Sequence, residues 1–105
     1  MSTITRHVHP GILLREEFFE PLGITQLAAA KAIGIPQSRL SEILSGHRAI
    51  TADTAIRLGQ FFKLDPASFL NLQAAYDLRQ AKAVLAHQTP KLRITPYTKL
   101  TLAHA

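Results

Sequence analysis

The stretch from Gln26 to Gly46, QLAAAKAIGIPQSRLSEILSG, constrains this chain more than any other. It reads as two short helices joined by a tight turn. Small and apolar residues run from Leu27 to Ile33, Gly34 supplies the reversal, and Pro36 stands where a new helix begins without needing an N–H. Ala30, Ile33, Ile35, Leu40, Ile43 and Leu44 then fall on one inward face at helical spacing.

The residues left outside are polar and of one kind. Gln37, Ser38, Arg39, Ser41 and Glu42 crowd the first turn and a half of the second helix. Amide, hydroxyl and guanidinium groups at a helix N-terminus suit base edges in a DNA major groove. Arg39 matches guanine and Gln37 matches adenine, each pair worth about 1–3 kcal/mol of discrimination. Glu42 has two readings, accepting from a cytosine amino group or pairing with Arg39 one turn away. Arg48, beside the next helix start at Thr51, suits a phosphate.

The flanks predict an all-α fold of five helices. The first starts at Pro10, with Leu14, Phe18 and Leu22 inward and Arg15, Glu16, Glu17 and Glu20 in water, and it breaks at Pro21 or Gly23. Thr25 caps the second helix (to Ile33), and the third runs from Pro36 to Ser45. Thr51 caps the fourth, with Ala55, Leu58 and Phe62 inward, and Asp65-Pro66 opens a fifth that reaches His87. Two parts follow: residues 1–87 as the domain and 88–105 as a basic extension. In the extension, LRIT and YTKLTL alternate as one short edge strand would, while Pro90 and Pro96 exclude a continuous helix.

The fifth helix carries an apolar stripe broader than four short helices can cover. Phe69, Leu70, Leu72, Ala74, Tyr76, Leu78 and Leu85 are therefore expected to face a second copy of the chain. In such a pair the two probing helices lie about 34–36 Å apart and the DNA site is palindromic.

Charge is unevenly placed. Up to Asp77 seven lysines and arginines balance seven acids. Arg79, Lys82, Lys91, Arg93 and Lys99 follow with no acid, so the whole net charge of +5 lies in the last quarter. DNA binding by the first part must rest on a few well-placed groups rather than on bulk potential.

No nucleophile–base pair, glycine-rich phosphate loop or zinc spacing is present, which argues against an enzyme, a cofactor or a small-molecule ligand. His7 and His9 sit in a polar arm without carboxylate support, so no metal site is expected. Zero cysteines, no apolar run of membrane-spanning length and the polar start MSTITRH lead to the expectation of a cytoplasmic protein with no membrane partner.

The spacing of Gln26, Ala30, Gly34, Gln37, Ser38, Leu40, Ile43 and Gly46 resembles the helix-turn-helix of the phage-repressor-like, or Xre, superfamily. The blocks HPGILLREEF, EPLGITQ, AKAIGIPQSRLSEILSGHRAITADTAIRLGQFF and LNLQAAYDLR look narrower still. Over about residues 7–82 they resemble the HigA-type antitoxins, also known as virulence-associated protein I.

The resemblance implies a dimeric repressor of its own operon that also neutralises a RelE-like mRNA endonuclease, the HigB toxin. It further implies that Gln26 contacts a phosphate and braces a base-reading Gln37. Ser38, Arg39 and Ser41 share the DNA contact, and His47, Arg48 and Thr51 lie near phosphates. The tail after Gln88 departs from the family pattern. Two other functions fit the same residues: a stand-alone regulator without a toxin, and a protein-interaction module that no longer binds DNA.

Overall fold

The computed structural model describes residues 8–88, 90 and 93–98. Among these the chain forms five helices and no strand. Helix α1 is continuous but wound in three parts, α-helical over Pro10–Leu14, π-helical over Arg15–Phe19 and α-helical again over Glu20–Leu22. Helices α2 (Gln26–Ile33), α3 (Gln37–Leu44), α4 (Ala52–Phe62) and α5 (Pro66–Ala86) follow.

The π turn corrects the expected first helix. A proline inside an α-helix loses one hydrogen bond and crowds the carbonyl four residues back, which for Pro21 is that of Glu17. Widening the preceding turn, so that the Glu20 N–H reaches the Arg15 carbonyl, lets the helix run through Pro21 and stop at Gly23 in the left-handed region, φ 65°. The extra residue rotates the inward face. Leu14 is followed by Phe19 in the core, Phe18 is half-buried, and Leu22, expected inside, is 64% exposed.

Local signals set the other boundaries. Thr25 accepts from the Ala28 N–H, Thr51 from that of Thr54 and Asp65 from that of Ala67, each capping a helix start. Pro36 is the residue before α3 rather than its first member, with extended backbone at ψ 141°. Leu40, Ile43, Leu44 and Leu58 are the largest fully buried side chains, joined by Ala29, Ala30, Ile33, Ile35, Ile50 and Ala55. Beside them Phe62 is half-buried and packs against Phe18 and Phe61, ring centroids 4.9 Å apart in both pairs.

Helix α1 lies across α3 where Gly11 passes the Ile43 carbonyl oxygen so closely that a β-carbon would overlap it. That contact fixes how far α3 stands out from the body.

Residues 93–98 are neither helix nor strand, and the rest of the expected edge strand lies outside the described residues. A strand needs a sheet edge to pair with, and an all-helical body offers none. No helix among the described residues is long and apolar enough to cross a membrane.

Candidate nucleic-acid interface

Helix α3 is anchored on its buried side by Leu40, Ile43 and Leu44, which leaves Gln37, Ser38, Ser41 and Glu42 exposed and Arg39 half-buried. No side chain caps its N-terminus, so its first N–H groups are left open beside the exposed Gln37 and Ser38. Its far end is held from α1: the Arg15 guanidinium donates to the Leu44 carbonyl at 3.2 Å. Arg57 does the same for α2, donating to the carbonyls of Ile33 at 2.6 Å and Gly34 at 3.2 Å. Each helix of the pair thus ends on a cation, which suits the negative end of its dipole.

Neither arginine role was expected. Arg15, expected in water, lies in the π-helical part of α1 and is half-buried against the end of α3.

The charged groups on this face are paired. Arg39 meets the Asp53 carboxylate at 3.5 Å, and the same oxygen accepts from Arg57 Nε at 2.9 Å. Glu42 accepts from Arg48 Nε at 2.7 Å, so of its two expected roles the pairing with Arg39 is replaced by one with Arg48 across the turn. Gln26 is half-buried at the start of α2, and no hydrogen bond joins it to Gln37 among the described residues. The free protomer thus leaves Gln26 and Gln37 unjoined.

The loop after α3 is closed by local bonds. The His47 N–H donates to the Glu42 carbonyl at 2.8 Å, and the His47 ring nitrogen lies 2.9 Å from Ser45 Oγ. Thr51 then opens α4 beside Arg48, as expected.

Two further residues position this loop, and sequence reasoning missed both. Gln73 of α5 is buried; its carbonyl accepts the Ile50 N–H at 2.9 Å, and its amide donates to Asp77 at 2.9 Å. His9 is not part of a loose arm. It is buried, its Nδ1 accepts the Gly11 N–H at 2.8 Å to cap α1, and its ring meets Tyr76 edge-on at 5.1 Å. Burial pushes its pKa below the ordinary 6.5; Asp77 opposes this shift and His47 adds to it. His7 lies outside the described residues. Among those described, no three His, Asp or Glu side chains gather as metal ligands would.

The stripe expected to face a second copy divides. Phe69 is buried in the protomer's own core and is withdrawn from that set. Leu70 packs partly against the same core and Tyr76 against His9. Leu72, Ala74, Leu78 and Leu85 are exposed, and Val84, not anticipated, joins them.

Known proteins share this architecture. A family model described as helix-turn-helix matches residues 16–69. Virulence-associated protein I of Dichelobacter nodosus is 49% identical over 75 residues, 71% of this chain and 69% of that one. The Pseudomonas aeruginosa antitoxin HigA, solved with the higBA promoter, superposes with TM-score 0.80 at 34% identity, covering 89% of this chain and 100% of its own. A second Pseudomonas aeruginosa protein, solved in complex with its 28 bp operator DNA, gives TM-score 0.74 at 37% identity, covering 77% of this chain and 89% of its own. The chain belongs to the HigA-type, virulence-associated protein I-like branch of the Xre helix-turn-helix family, which is not a family of enzymes.

Proposed function

We propose that this protein is a sequence-specific DNA-binding repressor that pairs into a homodimer through α5 and binds a palindromic operator. In this reading it represses its own operon and neutralises a HigB-like toxin. The observation that carries the DNA-binding part is the placement of α3: three buried side chains and an arginine on its last turn hold it, while its uncapped end and polar face stand outside. Gln37, Ser38, Arg39 and Ser41 read bases from that face. Gln26, His47, Arg48 and Thr51 take phosphates on either side of it.

Arg39 is free enough for this work. Its ion pair with Asp53 is long and open to solvent on the Asp53 side, worth at most about 1 kcal/mol. A guanine accepting two hydrogen bonds from the same guanidinium offers about 1–3 kcal/mol and displaces it. The likeness to two proteins solved with promoter or operator DNA supports the reading.

The test is selection from randomised duplexes of about 30 base pairs, long enough for two half-sites one helical turn apart. Enrichment of a palindrome, lost in the Gln37→Ala, Arg39→Ala double variant, is the expected result. Recovery of no sequence would leave the interaction-module reading instead. Co-purification with the product of the neighbouring gene tests the toxin partnership, and its absence would favour the stand-alone regulator.

A further inference from the structure

Every arginine on the face of α3 and the loop behind it is bonded to a carboxylate of the same face. Glu42 holds Arg48 at 2.7 Å, and Asp53 holds Arg39 at 3.5 Å and Arg57 at 2.9 Å. These two acids are the reason the probing surface adds little positive charge, in a stretch to Asp77 whose charges cancel. From this arrangement we infer that Glu42 and Asp53 are specificity-determining residues, which lower affinity for wrong DNA more than for right DNA. The inference rests on the DNA-binding reading above and deepens it.

Binding to arbitrary sequence is almost wholly electrostatic, and each phosphate neutralised by a free cation releases counterions. An arginine already paired with an exposed carboxylate delivers no such gain, because the acid it leaves behind faces the same phosphates. On the matching sequence the exchange is compensated. There α3 is seated in the groove, Arg39 takes base acceptors, and Glu42 lies against base edges where an amino group can replace the bond to Arg48. The two carboxylates therefore weigh on the loosely bound state and are offset in the seated one.

Glu42 is suited to a clean test. It is exposed, and its side chain bonds only Arg48 among the described residues. The probes are the duplex obtained by selection and a scrambled duplex of equal length, each titrated by fluorescence anisotropy against the full chain between 0.1 and about 0.4 M salt. Glu42→Gln is expected to raise affinity for the scrambled duplex about fivefold per protomer near 0.15 M salt and to steepen its salt dependence by about one phosphate equivalent. The selected duplex gains less, so the ratio of the two affinities falls. Asp53→Asn moves both quantities in the same direction, and Glu42→Asp, which keeps the charge, leaves the scrambled duplex unaffected. Thermal melts establish that each variant is folded. Equal gains on both duplexes, or no gain on the scrambled one in either neutral variant, would overturn the inference while leaving sequence-specific binding intact. If the unaltered protein enriches no duplex, both fall together.

Discussion

Helices α3 and α5 are finished to different degrees. Of the eight residues of α3 three are buried, and every exposed one is polar. Of the 21 residues of α5 only Phe69 and Gln73 are buried, while Leu72, Leu78, Val84 and Leu85 stand largely in solvent. The protomer alone accounts for the position of α3. It does not account for α5, where each partly exposed leucine or valine forgoes roughly half of the 1.5–3 kcal/mol that full burial would contribute. One helix is set by its own chain, and the other keeps an apolar surface that the proposed homodimer would cover.

The sharpest way to break this contrast is at the locked end. Gly11→Ala drives a methyl group into the Ile43 carbonyl, and because both sides of that contact are backbone neither can swing aside. A loss of about 3 kcal/mol or more is expected, lowering the midpoint of a circular-dichroism melt by about 12 °C or more. A melt like the unaltered protein's would mean that the close approach of Gly11 to Ile43 does not hold α3 in place.

Gln73→Leu comes next, because Gln73 ties α5 to the loop that follows α3. The change leaves the Ile50 N–H buried without an acceptor and is expected to cost about 1–3 kcal/mol. Hydrogen exchange should accelerate at Ile50 and much less at Leu40. Uniform acceleration through both helices would show that Gln73 supports the whole core rather than the loop.

At the open end, Leu78→Asp with Leu85→Asp is expected to weaken self-association at least about tenfold, read by sedimentation, which corresponds to about 1.4 kcal/mol. Protection at Leu40 and Ile43 in the separated protomer should survive. An unchanged association constant would overturn α5 as the contact of the proposed dimer, and lost protection at Leu40 would erase the distinction between the two helices.

What could be read ahead of the structure follows the same division. Thr25, Thr51 and Asp65 cap as expected because a cap is decided by one side chain and an N–H two or three residues on. The inward face from Ala30 to Leu44 is likewise a matter of short spacing. What escaped depends on distance along the chain. Arg15 reaches Leu44 across 29 residues and Arg57 reaches Ile33 across 24, and nothing local distinguishes either from an ordinary surface arginine. The π turn carried one available signal, a proline three residues into what would otherwise be uninterrupted helix after Phe18. For His9 the signal was its place directly before Pro10, a cap position that a side-chain acceptor can fill. Phe69 was misassigned because a periodic stripe does not reveal where one core ends and another surface begins.

The smallest effect concerns His9, which touches both helices' supports. Its ring lies on Tyr76 of α5, and its β-carbon approaches Gly46, at the end of α3. Protonation would take away the Nδ1 lone pair that accepts the Gly11 N–H and would place a charge where burial disfavours it. Because the folded pKa lies below the unfolded 6.5, the unfolded chain binds the proton more readily. The contribution of His9 is thus fully present above about pH 6.5 and is lost as pH falls from there through the folded value. His9→Asn keeps an acceptor at the cap and removes the titration. Between pH 7 and 5 the midpoint of the unaltered protein should therefore drop further than that of the variant, and the protection of the Gly11 N–H, taken relative to its intrinsic exchange rate at each pH, should fall over the same interval. Parallel midpoints across that range would mean that the proton is accommodated without cost. The link from α5 through His9 to the end of α3 would then be one of packing alone.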